Sequence, residues 1–161
     1  MATEIERKYL VRGDTWRTSE GVHYLQGYLA DQDGMTVRVR MAGPKGKLTI
    51  KGPSQGATRA EFEYSIPPED ARAMLETLCT GPLIDKQRYT VMVGDHEWVI
   101  DEFTGDNAGL IIAEIELTSE DEAFEMPEWA GVEVTAHGRF FNSQLVKHPF
   151  NTWTPAEQAG E

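Results

Sequence analysis

The chain has 161 residues, 40% hydrophobic and 9% aromatic, which predicts one globular unit over residues 1–161 with a sizeable core. Fifteen Lys and Arg against 27 Asp and Glu give a net charge of -12, so the average surface repels nucleic acid and anionic lipid, and neither is an expected partner. No apolar run approaches the ~18 residues of a membrane span. The one cysteine, Cys79, cannot form an internal disulfide or a thiolate metal cluster, and no signal-peptide pattern precedes the first strand, so a reducing cytoplasm is the expected compartment.

Charged residues alternate with apolar or β-branched ones in eight segments: 4–10, 35–41, 47–51, 59–66, 86–93, 97–103, 110–118 and 131–135. The turn clusters between them (42–47, 52–56, 94–95 and 105–109) are short, which favours antiparallel hairpins over parallel crossovers. Pro68 opens a helix expected over 69–78, with Glu69 and Asp70 in its first turn and Gly81-Pro82 beyond its end. Ser119 and Glu122 make a capping box ahead of a short helix broken at Pro127, and a third helix is expected over 140–146, ended near Pro149. The tail after Pro155 is expected to fray, with 150–161 peripheral. The fold class is therefore α+β, mainly β, without repeats or linkers that would divide it.

Three Glu-x-Glu pairs stand inside predicted strands: Glu4/Glu6, Glu61/Glu63 and Glu114/Glu116, with Ile5, Phe62 and Ile115 between their members. Alternate residues of a strand share one face about 7 Å apart. Arg38/Arg40 and Lys86/Arg88 repeat the spacing with the opposite sign, Lys8 continues the first acidic face, Lys51 stands on another strand and Arg59 leads the second acidic pair. One sheet face is thus charged and the other apolar. An ordinary antiparallel sheet showing one face to water has that pattern. Both signs recurring on most strands also fits a sheet curled into a barrel with the charged face inward, whose interior must bind ions to offset desolvation. Carboxylates suit Mg²⁺ or Mn²⁺, and Arg and Lys suit phosphate oxygens.

The opening Glu4-Ile5-Glu6-Arg7-Lys8 resembles the E-x-E-x-K signature of the CYTH superfamily, the triphosphate tunnel metalloenzymes. Gln26-Gly27-Tyr28-Leu29, Val37-Arg38-Val39-Arg40, Leu48-Thr49-Ile50-Lys51-Gly52, Thr58-Arg59-Ala60-Glu61-Phe62-Glu63, Lys86-Gln87-Arg88, Asp101-Glu102-Phe103 and Ala113-Glu114-Ile115-Glu116-Leu117 follow in the family's order, over residues 2–146. The resemblance implies an eight-stranded antiparallel closed tunnel with helices outside, a divalent metal, and hydrolysis or rearrangement of a triphosphate. It implies that Glu4, Glu6, Glu114 and Glu116 hold metal, with Asp101 a further ligand and Glu61/Glu63 completing the acidic wall. Lys8, Arg38, Arg40, Lys51, Lys86 and Arg88 would grip phosphates, joined by Arg59, and Glu4, Glu6 and Lys8 are the expected catalytic set. Tyr28 either orients a phosphate or packs as a core aromatic. One departure is His137, where the small bacterial members carry an acidic residue before the run Arg139-Phe140-Phe141-Asn142. It leaves Arg139 open between a substrate contact at the tunnel end and a surface arginine at a helix start.

The expected reaction is metal-dependent conversion of inorganic triphosphate to pyrophosphate and phosphate, a compact linear substrate matching a small chain. Thiamine triphosphatase, nucleoside triphosphatase, adenylate cyclase and a non-catalytic polyphosphate-binding module are alternatives. The lining so defined is nearly neutral, with eight basic and seven acidic residues, so the net charge describes the outside, whose acidity leaves a homodimer open. Other motifs carry less. Gly43-Pro44-Lys45-Gly46-Lys47 lacks phosphate-loop spacing and reads as a hairpin turn. His23, His96, His137 and His148 have no metal-site spacing, and Cys79 reads as a small buried apolar residue.

Overall fold

The computed structural model describes residues 3–161, so residues 1 and 2 of the expected domain lie outside the described residues. Nine strands form one antiparallel sheet: β1 (Thr3–Val11), β2 (Val22–Gln32), β3 (Met35–Ala42), β4 (Lys45–Lys51), β5 (Thr58–Ile66), β6 (Thr80–Val93), β7 (His96–Phe103), β8 (Ile111–Glu116) and β9 (Ala130–Glu133). Their order is β5-β4-β3-β2-β6-β7-β8-β1-β9, and pairing of Thr3–Ile5 with residues 58–60 of β5 closes the first eight into a barrel. One edge of β1 takes β8, while the other takes β5 near its start and β9 near its end. A closed ring leaves no sheet edge open in the barrel wall.

The expected eight-stranded barrel is present, but its membership differs from the periodicity reading. Strand β2 was not among the eight segments because its inward residues, Tyr24, Gln26 and Tyr28, are uncharged, so no alternation of charge marks it. The expected strand at 131–135 exists as β9, a ninth strand outside the ring. Helix α1 (Pro68–Thr77) forms as its start and stop residues predict, and β6 begins almost at once with Thr80. The short helix expected between Ser119 and Pro127 does not form. The Glu122 carboxylate instead accepts hydrogen bonds from the Thr118 N–H and hydroxyl and meets the His96 ring, which holds the segment as irregular chain. Residues 138–140 make a 3-10 turn and α2 spans Asn142–Lys147. The tail does not fray: α3 (Pro155–Gln158) carries a Thr154/Glu157 capping box, and Trp153 packs edge-on against Phe140 at 5.0 Å.

Packing assigns each face a role. Outside, Tyr9, Trp98, Ile100, Ala113 and Ile115 of β1, β7 and β8 are buried under Trp16, Phe124 and Trp129. On the other side, α1 sets Ala71 and Leu75 against Val39 and Met41. That approach needs a bare backbone at Gly46, where an added Cβ would lie 2.9 Å from the Ile66 carbonyl oxygen and 3.0 Å from the Ala71 Cβ. Inside, the inward positions of β1, β6, β7 and β8 change from charged to apolar at one end. Leu10, Ile84, Phe103 and Ile112 pack there with Val134, Phe140 and Leu145, so this end of the barrel is filled by a core and capped by the 138–147 segment. Among the described residues no helix is long and apolar enough to cross a membrane.

Candidate functional site

The remaining interior is a cavity of about 320 Å³. Thirteen of the expected residues line it: Glu4, Glu6, Lys8, Arg38, Arg40, Lys51, Arg59, Glu61, Glu63, Lys86, Arg88, Glu114 and Glu116. Register explains the convergence, since each alternate residue on one strand sits beside an alternate residue on the next. Glu6 is opposite Glu116 and Lys8 opposite Glu114 across β1 and β8, Glu4 is opposite Arg59 across β1 and β5, and Lys51 is opposite Glu61 across β4 and β5.

The lining divides by charge. Strands β1, β8 and β5 supply all the lining carboxylates but Glu97 of β7, with two lysines among them, Lys8 of β1 and Lys51 of β4. Lys8 Nζ lies 3.0 Å from Glu6 and 2.9 Å from Glu114, and Lys51 Nζ lies 2.8 Å from Glu4 and 3.2 Å from Glu61. Burial alone would lower the Lys8 pKa, but the Glu114 and Glu6 carboxylates outweigh it and hold the ammonium charged well above the usual lysine range. Glu116 has no such partner. Although the side chain still reaches water, partial desolvation first, and then the negative charges of Glu4 and Glu6, push its pKa up.

Strands β2, β3, β6 and β7 build the basic side. Arg88 donates from Nε and Nη2 to the two oxygens of Asp101, both at 2.8 Å, and Lys86 Nζ donates to Asp101 Oδ2 at 2.7 Å. Although burial opposes it, these cations hold the Asp101 carboxyl far below the carboxylate range. Arg40 donates to Gln26 Oε1 at 2.7 Å, and both Arg40 and Arg88 stack on the Tyr24 ring, at 4.7 and 4.5 Å from its centroid. Burial, followed by the charges of Arg38 and Arg88, lowers the Arg40 pKa to about 9. Arg38 donates to the Thr49 hydroxyl, while its buried Nε has no partner among the described residues. Of these four buried or half-buried cations, Lys86 and Arg88 share one carboxylate, Asp101, while Arg38 and Arg40 have only the uncharged Thr49 and Gln26 as hydrogen-bond partners among the described residues. Such a surplus requires an anion.

Two expected site residues stand elsewhere. Asp101 does not line the cavity: it is 2% exposed, with both oxygens engaged behind Lys86 and Arg88. Arg139 does not line this cavity: it donates to the carbonyls of Glu157 and Glu161, stacks on Phe140 and Trp153, and borders an adjoining pocket that shares Arg59 and Phe141 with the tunnel. Tyr28 lines the cavity and is only 7% exposed. The cavity also includes residues that charge periodicity passed over. Glu97 and Val99 are inward residues of β7, and Phe141, Asn142 and Ser143 enter from the 138–147 segment. Phe141 lies under the charges of Lys8 and Arg59, at 5.6 and 5.7 Å. Its place could be read from the Arg-Phe-Phe-Asn run only once the barrel was known to close beneath it.

The donor chemistry fits a hard divalent cation. Glu4, Glu6, Glu114 and Glu116 offer oxygen ligands alone, and the raised pKa of Glu116 marks a surplus of negative charge that a cation would relieve. In the arrangement described, Lys8 and Lys51 partly serve that purpose, and among the described residues no three acidic, His or Cys side chains converge on one point.

Comparison with known proteins agrees with this geometry. The CYTH domain pattern matches residues 2–145. An inorganic triphosphatase of Acetivibrio thermocellus is 46% identical over 154 residues, covering 95% of this chain and 99% of its own. An inorganic triphosphatase of Nitrosomonas europaea is 35% identical over 148 residues, covering 89% and 97%. A crystal structure of an inorganic triphosphatase superposes with a TM-score of 0.63 at 33% identity, covering 91% of this chain and 95% of that one. By this match and these relatives, the chain belongs to the CYTH family.

Proposed function

We propose that this protein hydrolyses inorganic triphosphate to pyrophosphate and phosphate within the tunnel, using a divalent metal ion. The observation that carries the reading is the division of one small cavity into a wall of carboxylates and a wall of buried cations in excess of their counter-charges. Triphosphate brings several negative charges that repel a nucleophile as well as each other, and phosphoryl transfer asks the protein chiefly for positioning and electrostatic stabilisation.

Glu4, Glu6, Glu114 and Glu116 would hold Mg²⁺ or Mn²⁺, with Glu61 and Glu63 completing the acidic wall. When bound, the ion neutralises phosphate oxygens and makes water more acidic. Arg38, Arg40, Lys86 and Arg88 bind the phosphates; Lys51 and Arg59 extend the grip to the opposite wall. Asp101 acts behind them, holding Lys86 and Arg88 in place. Lys8 sits at the seam between the acidic wall and the phosphates, where its ammonium can shift from Glu6 and Glu114 to an oxygen gaining charge at the bond being broken. Water attacks the terminal phosphorus and the P–O bond to the departing pyrophosphate breaks. No His or Cys lines the cavity, and the scheme requires no protein nucleophile. The polar lining offers little flat apolar surface for a nucleobase, which favours a linear substrate.

Phosphate release from tripolyphosphate, thiamine triphosphate and ATP, each with Mg²⁺, with Mn²⁺ and without metal, tests the proposal. Tripolyphosphate should be turned over fastest and only with metal, and Glu4→Gln should lower kcat by about 100-fold or more with the fold intact. Cyclic AMP formed without phosphate release would point to a cyclase; binding without turnover would point to a carrier.

A further inference from the structure

Four polar groups at the closed end of the tunnel form a chain whose direction is fixed by its two ends. Lys86 Nζ donates to Asn142 Oδ1 at 2.9 Å, Gln26 Nε2 donates to the same oxygen at 3.0 Å, and Gln26 Oε1 accepts from Arg40 Nε at 2.7 Å. An ammonium and a guanidinium can only donate. Each end therefore demands an amide oxygen, and turning over either amide would set an N–H against a cation. Gln26 is fully buried, so it has no water to turn to.

Asn142 comes from outside the barrel, 116 positions along the chain from Gln26, and lines the cavity as the first residue of α2. Its oxygen is used twice over. Its Nδ2 has no hydrogen-bond partner among the described residues and is not a buried orphan, so it is left as a free donor at the cavity wall. An amide suits this place better than any charged side chain. A cation would repel Lys86, and a carboxylate would neutralise Lys86 while repelling the anion, whereas an amide accepts from the lysine and donates outward. Among the described residues it is the one uncharged hydrogen-bond acceptor of the innermost cation, Lys86.

We propose that Asn142 is a substrate-binding and positioning residue: its oxygen holds Lys86 and, through Gln26, Arg40 in their phosphate-facing positions, and its free Nδ2–H donates to the innermost phosphoryl group of the triphosphate. The proposal rests on the triphosphate reading above, and the experiment separates the two. Wild type, Asn142→Ala and Asn142→Asp are compared for tripolyphosphate Kd by calorimetry without metal, for KM and kcat with Mg²⁺, and for Tm. Asn142→Ala should raise Kd and KM about tenfold, the loss of a charge-assisted hydrogen bond. Asn142→Asp keeps the acceptor for Lys86 and Gln26 but loses the outward donor, so it should recover the wild-type Tm and bind triphosphate at least as weakly as Asn142→Ala. Because the added carboxylate repels the anion by itself, Asn142→Ala carries the comparison: a merely structural role would raise its KM only in step with a fall in kcat and Tm. Wild-type Kd in Asn142→Asp, or Kd within twofold of wild type in Asn142→Ala, overturns the proposal. Should Asn142→Ala not fold, Asn142→Ser, which adds no charge, takes its place. Wild type that binds tripolyphosphate but releases no phosphate defeats the hydrolase reading, while the Kd comparison still decides Asn142.

Discussion

Lys86 is the most deeply buried cation in the tunnel, 1% exposed, and its charge is the least secure. Burial is the largest influence, the neighbouring Arg88 and Arg40 act in the same direction, and Asp101 only partly opposes them, so its pKa is lowered to about 7. A lysine in an unfolded chain titrates near ~10.4. Between those values the unfolded chain holds a proton that the folded chain lacks, so this group's contribution to stability increases from pH about 7 to about 10 and is a constant penalty below. Asp101 acts in the acid range: with its pKa depressed, its contribution is present above the unfolded carboxylate value near ~4 and declines as pH falls below it. A bound polyanion supplies the counter-charge that Lys86 lacks and raises its pKa again. At pH 8, binding of tripolyphosphate should therefore draw about one proton onto Lys86. Calorimetry in two buffers of different ionisation enthalpy measures the uptake, and Lys86→Met should lose most of it. Equal uptake by the two proteins would show that the proton goes elsewhere.

At the scale of elements, the segment that closes the tunnel is held by the tail expected to fray. Trp153 stands edge-on to Phe140 and Phe150 and donates from Nε1 to the His148 carbonyl at 2.9 Å, while Arg139 ties the same region to the carbonyls of α3 and of Glu161. Trp153 is only half-buried, so Trp153→Ala should cost about 2 kcal/mol, less than a fully buried tryptophan. That corresponds to a Tm lower by roughly 4–8 °C in thermal unfolding followed by circular dichroism. A shift of less than about 1 °C would mean that the tail does not brace the closing segment. The sequence shows some of this and hides the rest for physical reasons. Helix α1 is legible because Pro68, Glu69, Asp70 and Gly81 act locally. The charged lining is legible because a strand's two-residue period survives in the sequence. Gln26, Thr49 and Asn142 carry no such mark, since an uncharged side chain becomes part of the site only when closure brings it beside a cation. Ser119 and Glu122 show the converse: a good local cap pattern lost to other partners, the neighbouring Thr118 and, from another strand, His96. Asp101 lies on the charged face, as its spacing predicts, but spacing does not reveal that two cations hold both of its oxygens.

For the whole molecule, the net charge of -12 and the basic interior pull an incoming anion in opposite directions. Exposure decides which acts first. The lining residues that face water most openly, Glu63, Glu97 and Glu116, are all acidic, whereas Lys8, Arg38, Arg40 and Lys86 are buried. A free triphosphate thus meets like charge at the rim and across the surface before it reaches the cations within. Screening shortens the reach of that repulsion from about 30 Å at 0.01 M salt to about 8 Å at 0.15 M, while the buried cations are screened much less. In the absence of divalent metal, the association rate of tripolyphosphate should therefore rise several-fold over this range, the reverse of ordinary steering toward a basic site. Stopped-flow mixing with a pH-indicator dye in weak buffer follows binding through the proton taken up at Lys86. Charge removal at the rim in the double variant Glu63→Gln/Glu97→Gln should raise the low-salt rate and flatten its salt dependence. A wild-type rate that falls steadily with salt would mean that the interior field reaches through the rim, and that the acidic exterior has no part in selecting how the substrate enters.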